Sequence, residues 1–211
     1  MIGDKLLLKP HHLPPAREIF ALKKSVLENH KGIYLFNISG ESGSGKSTLA
    51  IALKSVLEDN GYHSYIFHMD DYFRLPPTSN HNQRVESLDY VGSQEVDLAL
   101  LDSHIQEIKN GVKELYKPLV HYKENEIRTE YVKLDGLKVI IVEGTYTTLL
   151  ENTDCKIFLD RDYKLTLEDR ILRAREPITE FIESVLEIEH QIISSHKAMA
   201  DIVLGADYQL L

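Results

Sequence analysis

Gly40-Glu41-Ser42-Gly43-Ser44-Gly45-Lys46-Ser47 is the stretch on which the reading of this chain turns. It follows an apolar run over residues 33–38 and precedes Leu49, Ala52, Leu53, Val56 and Leu57, which recur at helical spacing until Asn60-Gly61 stops them. The order is strand, glycine loop, helix. In that setting the glycines let successive backbone N–H groups turn inward toward phosphate oxygens, and the helix start adds its positive dipole end. Lys46 then reaches the β and γ phosphates, and the Ser47 hydroxyl, with Thr48 beside it, offers an oxygen to magnesium. Gly40, Glu41, Ser42, Gly43, Ser44, Gly45, Lys46, Ser47 and Thr48 are therefore the candidate nucleotide-binding residues. The Gly-Lys-Ser ending favours a triphosphate, ATP or a close relative such as GTP, over a dinucleotide, whose Gly-x-Gly-x-x-Gly spacing is not present.

Working outward, residues 62–69 read as a second strand, followed at once by Asp70-Asp71, and residues 139–142 as a buried strand followed by Glu143-Gly144. Residues 156–159 and 202–204 complete the strands. Helical spacing covers 95–108, 164–175 and 178–200, whereas 118–122 and 130–134 suit a hairpin. Strands alternating with helices imply an α/β chain, a P-loop NTPase fold with a parallel sheet covered by helices on both faces. Residues 74–90, with Pro76, Pro77, Ser79, Asn80 and Asn82, read as an irregular lid or binding loop. Residues 1–31, with a helix over 16–28, read as a short N-terminal helical extension, and 32–211 as the P-loop domain.

A formal charge of -9 and no long basic block argue against a nucleic-acid partner. No apolar stretch approaches the roughly 20 residues needed to cross a bilayer, so no membrane partner is expected. The single cysteine, Cys155, fits a reducing compartment, and a soluble cytoplasmic protein is expected, with a homo-oligomer left open. The ten histidines show no paired metal-ligand spacing.

If the strands are parallel, Asp70 and Glu143 emerge at the same edge as the glycine loop. A carboxylate there holds magnesium or takes a proton from an attacking hydroxyl, and both carboxylates are candidates for the metal beside Ser47. Arg170 and Arg173 share one helix face, with Arg175 near its end, and together form a candidate clamp for the transferring phosphoryl group.

These segments resemble the uridine kinase and phosphoribulokinase family of P-loop small-molecule kinases over residues 33–204. His68-Met69-Asp70-Asp71-Tyr72-Phe73 is similar to the family segment that carries the catalytic aspartate, which makes Asp70 the base and brings Tyr72 and Phe73 to the acceptor side. Leu88-Asp89-Tyr90 resembles the stretch whose aspartate holds sugar hydroxyls, so Asp89 is the carried-over candidate. Residues 118–125 resemble a substrate-contacting hairpin, which implicates His121 and Tyr122. The resemblance implies ATP- and magnesium-dependent phosphoryl transfer to a hydroxyl of a small molecule, a nucleoside such as uridine or cytidine. Alternatives are pantothenate, a sugar or a sugar phosphate, or a nucleotide-binding regulatory protein. The chain departs from the family pattern in its Tyr72-Phe73 order, in Val91 where proline is expected, in the absence of a Tyr-Asp pair from the hairpin, and in a lid shortened at Glu176-Pro177.

Overall fold

The computed structural model describes residues 12–173 and 179–211. Strands β1 (Tyr34–Gly40), β2 (Ser64–His68), β5 (Val139–Glu143), β6 (Cys155–Leu159) and β7 (Ile202–Leu204) form one parallel sheet in the order β2-β5-β1-β6-β7. Every residue of β1 and β5 is buried, because central strands of a parallel sheet are covered on both faces and do not alternate between core and solvent.

Alternate residues of these strands feed two cores. Phe36, Ile38 and Ile141 pack with Leu49, Leu53 and Leu57 of α2 (Lys46–Asp59) and with Ala16, Ile19 and Phe20 of α1 (Leu13–Asn29). Leu35, Ile140 and Val142 pack on the opposite face with Leu101 and Ile105 of α4 (Leu98–Lys109). The apolar face of α1 is thus continuous with the core beneath the sheet. Truncating a fully buried leucine such as Leu53 to alanine would cost about 2–5 kcal/mol.

The sequence expectation for residues 74–90 needs correction, since α3 (Pro77–Glu86) lies within them. It is polar nearly throughout, and only Asn80 is buried, so no apolar stripe announces it. Two features hold it helical. Pro77 occupies the first turn, where its missing N–H costs nothing, and Asn80 and Arg84, four apart on one face, both grip Glu95. The long helix expected over 178–200 is α6 (Glu180–Ile193) followed by a 3-10 turn, Ser194–Met199. The preceding helix, α5 (Leu167–Arg173), starts later than expected because the Asp162 carboxylate accepts from the N–H groups of Lys164 and Leu165 and holds that turn open. Residues 174–178, where the shortened lid was expected, lie outside the described residues. No described helix is long and apolar enough to cross a membrane.

The hairpin forms with longer arms than the pattern indicated, β3 (Glu114–His121) pairing antiparallel with β4 (Glu126–Lys133). A buried ion pair fastens it to the turn that follows β2. Lys117 Nζ lies 3.0 Å from Asp71 Oδ2 and 2.9 Å from Glu130 Oε2, while Val120 N donates to Asp71 Oδ1. Both Lys117 and Asp71 are almost fully buried, so removing the ammonium strands a carboxylate in a low-dielectric site. Lys117→Met is expected to destabilise the fold by about 3–5 kcal/mol in urea unfolding, and a loss below about 1 kcal/mol would show the pair to be dispensable.

Candidate active site

At the carboxyl edge of the sheet, β1 runs directly into the glycine loop. Gly43 and Gly45 both have positive φ, 81° and 99°, and neither has room for a side chain. A Cβ on Gly43 would meet Arg170 Cγ at 2.7 Å, and one on Gly45 would meet the Tyr208 hydroxyl at 2.1 Å. The loop is therefore held from outside as well as by its own turns. Tyr208 Oη donates to the Ser44 carbonyl at 3.1 Å, and Arg161 reaches the same carbonyl at 3.1 Å. Lys46, the first residue of α2, folds back so that Nζ donates to the Glu41 carbonyl at 2.8 Å.

Ser47 and Glu143 meet directly, the hydroxyl donating to Oε2 at 3.1 Å. The other carboxylate oxygen accepts from His68 Nδ1 at 2.6 Å, a contact set by register, since His68 is the β2 partner of Glu143. Burial pushes the His68 pKa down, but the hydrogen bond and charge of Glu143 outweigh it, and the imidazole titrates above the ordinary histidine range. A hydroxyl and a carboxylate side by side are the hard oxygen donors that magnesium takes when phosphates supply the rest. Thr48 follows in the first turn of α2. No cluster of three or more potential metal-ligating side chains occurs among the described residues.

A cleft of about 370 Å³ opens beside the loop. Ser42 and Gly43 of the loop line it together with Asp70, Phe73, Tyr122 and Arg170. Asn80, His81 and Arg84 of α3 form one wall, and Ile182, Val185, Leu186 and Glu189 of α6 another. Asp70 sits in the 3-10 turn that follows β2, so the carboxylate expected at this edge does share a cavity with the glycine loop.

Other expected residues fall elsewhere. Tyr72 is a core residue, 1% exposed, whose hydroxyl bonds Nδ1 of His104, so the acceptor-side expectation for it is corrected. Phe73, the residue that follows the 3-10 turn Met69–Tyr72, lines the cleft. Asp89 is exposed in the turn Leu88–Tyr90 and does not line the cleft. His121 lies 3.9 Å from Glu124 and is likewise not among the lining residues. Gly144 packs against Met69, since a Cβ there would lie 2.2 Å from Met69 Cβ. Arg170 donates to the Tyr163 carbonyl and to Glu183. The side chain of Arg173 and the whole of Arg175 lie outside the described residues.

The histidines and the walls were not legible as site residues. Glu41, 6% exposed within the loop, accepts from His190 Nδ1 at 2.6 Å and from Tyr163 N at 2.9 Å. Glu95 is fully buried and accepts from Nε and Nη2 of Arg84, at 2.7 and 3.1 Å, along with Asn80 Nδ2 and Gly92 N. Arg84 also donates to Glu189 at 3.2 Å, tying α3 to α6. These partners are 11 and 105 residues apart from Arg84, beyond the reach of any local pattern.

Comparison with known proteins identifies the family and the fold. A profile described as the Phosphoribulokinase / Uridine kinase family matches residues 35–203. A uridine kinase of Clostridium novyi is 29% identical over 182 residues, covering 81% of this chain and 86% of that protein. A bifunctional alpha-galactosidase/sucrose kinase of Mediterraneibacter gnavus is 26% identical over 85% of this chain, which spans only 21% of that larger protein. Among solved structures, phosphoribulokinase from Rhodobacter spheroides superposes with a TM-score of 0.63 at 14% identity, over 83% of this chain and 71% of that one, a likeness of fold.

The Glu41–His190 pair gives the loop a pH dependence of known sign. The hydrogen bond to Glu41 raises the His190 pKa from its ordinary 6.5, with burial opposing. A raised histidine pKa stabilises the folded state fully below the unfolded value, and the contribution is lost as pH rises through the folded value. The melting temperature is therefore expected to fall as pH rises above the ordinary histidine value of about 6.5, and to fall less in Glu41→Gln. Identical pH slopes in the two proteins would show that the pair contributes nothing to stability.

Proposed function

The chain belongs to the phosphoribulokinase and uridine kinase family and is a small-molecule kinase, and from that premise we propose that it transfers the γ-phosphoryl group of ATP to a hydroxyl of a nucleoside, uridine or cytidine. The observation that carries this reading is the shared cleft, in which Asp70 faces the same cavity as Ser42 and Gly43 of the glycine loop.

In the proposed reaction the loop N–H groups and the amino end of α2 bind the phosphates, and Lys46 exchanges the Glu41 carbonyl for phosphate oxygens. Asp70 takes the proton of the acceptor hydroxyl as its oxygen bonds to the γ-phosphorus. The bond from that phosphorus to the bridging oxygen breaks, and ADP leaves. Arg170, packed against Gly43, brings a guanidinium to the same end of the cleft. Ser47 and Glu143 are the residues that would hold magnesium, which when bound neutralises phosphate charge.

A second reading, a free sugar as acceptor, is favoured by two observations. Asp89, which the family resemblance would assign to ribose hydroxyls, stands outside the cleft, and one relative that matches most of the chain carries sucrose kinase in its name. ADP release measured with uridine, cytidine, free sugars, pantothenate and sugar phosphates separates the readings, and no release with any of them defeats both.

Asp70→Asn is expected to lower turnover by about 10²- to 10⁴-fold while ATP binding changes little. Turnover near that of the unaltered protein would remove Asp70 from the role of base. Lys46→Ala should weaken nucleotide binding, turnover or both, and full activity with intact binding would contradict its assignment.

A further inference from the structure

Beyond β7 the chain closes on the glycine loop through a short hook. Tyr208 N donates to the Gly205 carbonyl and Gly205 N to the Gln209 carbonyl, and the following residues return beside β7 through the antiparallel bridge Leu204–Leu210. The hook holds Tyr208 at φ 59°, in the left-handed region that a Cβ disfavours. A non-glycine residue stays in that region only where its surroundings over-determine it, and such residues gather at functional sites. The side chain of Tyr208 supplies the constraint. Its ring, 6% exposed, packs in the core with α1 and α2, and its hydroxyl reaches the loop.

That hydroxyl joins distant stretches of the chain. It donates to the Ser44 carbonyl at 3.1 Å and accepts from Arg161 Nη1 at 2.6 Å, and the guanidinium carbon lies 4.7 Å from the ring centroid. His12 Nε2, just before α1, is 3.3 Å from the same oxygen. Arg161 Nη1 also donates to the Ser44 carbonyl, which is therefore gripped twice. In a planar trans peptide the C=O and the N–H point in opposite directions. Fixing the Ser44 carbonyl toward Tyr208 and Arg161 thus turns the Gly45 N–H away from them. Glycine at position 45 offers little resistance of its own to a flip of this peptide, so the two hydrogen bonds decide its orientation. Neither Tyr208 nor Arg161 lines the cleft, and both act on the loop from outside it.

We propose that Tyr208 is a positioning residue of the glycine loop, whose hydroxyl holds the Ser44–Gly45 peptide with its N–H directed at the nucleotide phosphates. The inference rests on the reading of the loop as the phosphate site, and it adds a residue that acts on the nucleotide through the backbone without touching it.

The test is equilibrium binding of ATP, ADP and inorganic pyrophosphate, each with magnesium, to the full chain and to its Tyr208→Phe variant, which keeps the ring and loses only the hydroxyl. Pyrophosphate carries no nucleoside, so it reports on the loop alone. All three Kd values are expected to rise by a common factor of about three to ten, the worth of one hydrogen bond. A merely structural tyrosine would lower the melting temperature and leave the three affinities unchanged, which overturns the proposal. Weaker ATP and ADP with unaltered pyrophosphate also overturns it, because Tyr208 would then act on the nucleoside. Arg161→Met, which removes the other donor to the Ser44 carbonyl, serves as the second variant if Tyr208→Phe does not fold. Read at high salt, where the loss of its charge is screened, it is expected to weaken all three ligands, and unchanged affinities there count against the proposal. Unaltered nucleotide binding in Tyr208→Phe defeats this inference alone. A common shift in a protein that releases no ADP with any acceptor defeats the kinase reading alone, and a chain that binds neither ATP nor pyrophosphate defeats both.

Discussion

The parallel register of β2, β5 and β1 is the constraint on which the site depends. Ile38 stands opposite Glu143, and Glu143 opposite His68, so the three strands end level with one another. Because all three run the same way, the glycine loop, Glu143 and the turn bearing Asp70 leave the sheet at one edge. Backbone hydrogen bonds of the sheet thus bring these segments to one edge. Placing ligands beyond the carboxyl ends of the strands is the general consequence of such a sheet.

Side chains then fix what the backbone brings together. Glu143 is gripped from both sides, by His68 and by Ser47, which holds the carboxylate in one orientation against the first turn of α2. Glu41 does the same for the loop itself, linking it to the Tyr163 amide and to His190. His190 belongs to α6, the helix that also supplies Ile182, Val185, Leu186 and Glu189 to the cleft. One helix therefore touches the phosphate loop with one residue and the acceptor wall with its neighbours a turn away. A shift of α6 on filling of the cleft would be felt at Glu41 through a 2.6 Å hydrogen bond.

How much of this could be read from the sequence follows from how local each feature is. The glycine loop, its flanking strand and helix, the parallel sheet and the placement of Asp70 and Glu143 at one edge of it were all legible. Each is written in contiguous residues or in the end of an apolar run. The helix α3 was not legible, because a helix held by Asn80 and Arg84 on a buried glutamate carries no apolar period. Tyr72 was misplaced because adjacent aromatics look alike in sequence. Tyr72, the last residue of the 3-10 turn, joins the core and bonds His104, while Phe73, just after the turn, meets the cleft. The partners of Arg84 and Glu41 come from segments far along the chain and become neighbours only once the sheet has formed.

The same division separates the reaction from its substrate. The residues proposed to handle phosphate sit at the strand ends, where topology dictates their place. Other residues that line the cleft sit on α3, the hairpin and α6, elements that lie over the sheet edge and are held by long-range ion pairs. Such pairs are exchanged without disturbing the sheet, since Arg84, Glu95 and Glu189 contribute to no strand ladder. A fold built this way keeps one phosphoryl-transfer apparatus and varies what it phosphorylates. Acceptor identity therefore has to be read from the charge and hydrogen-bonding capacity of the overlaid walls, because the glycine loop carries no information about it.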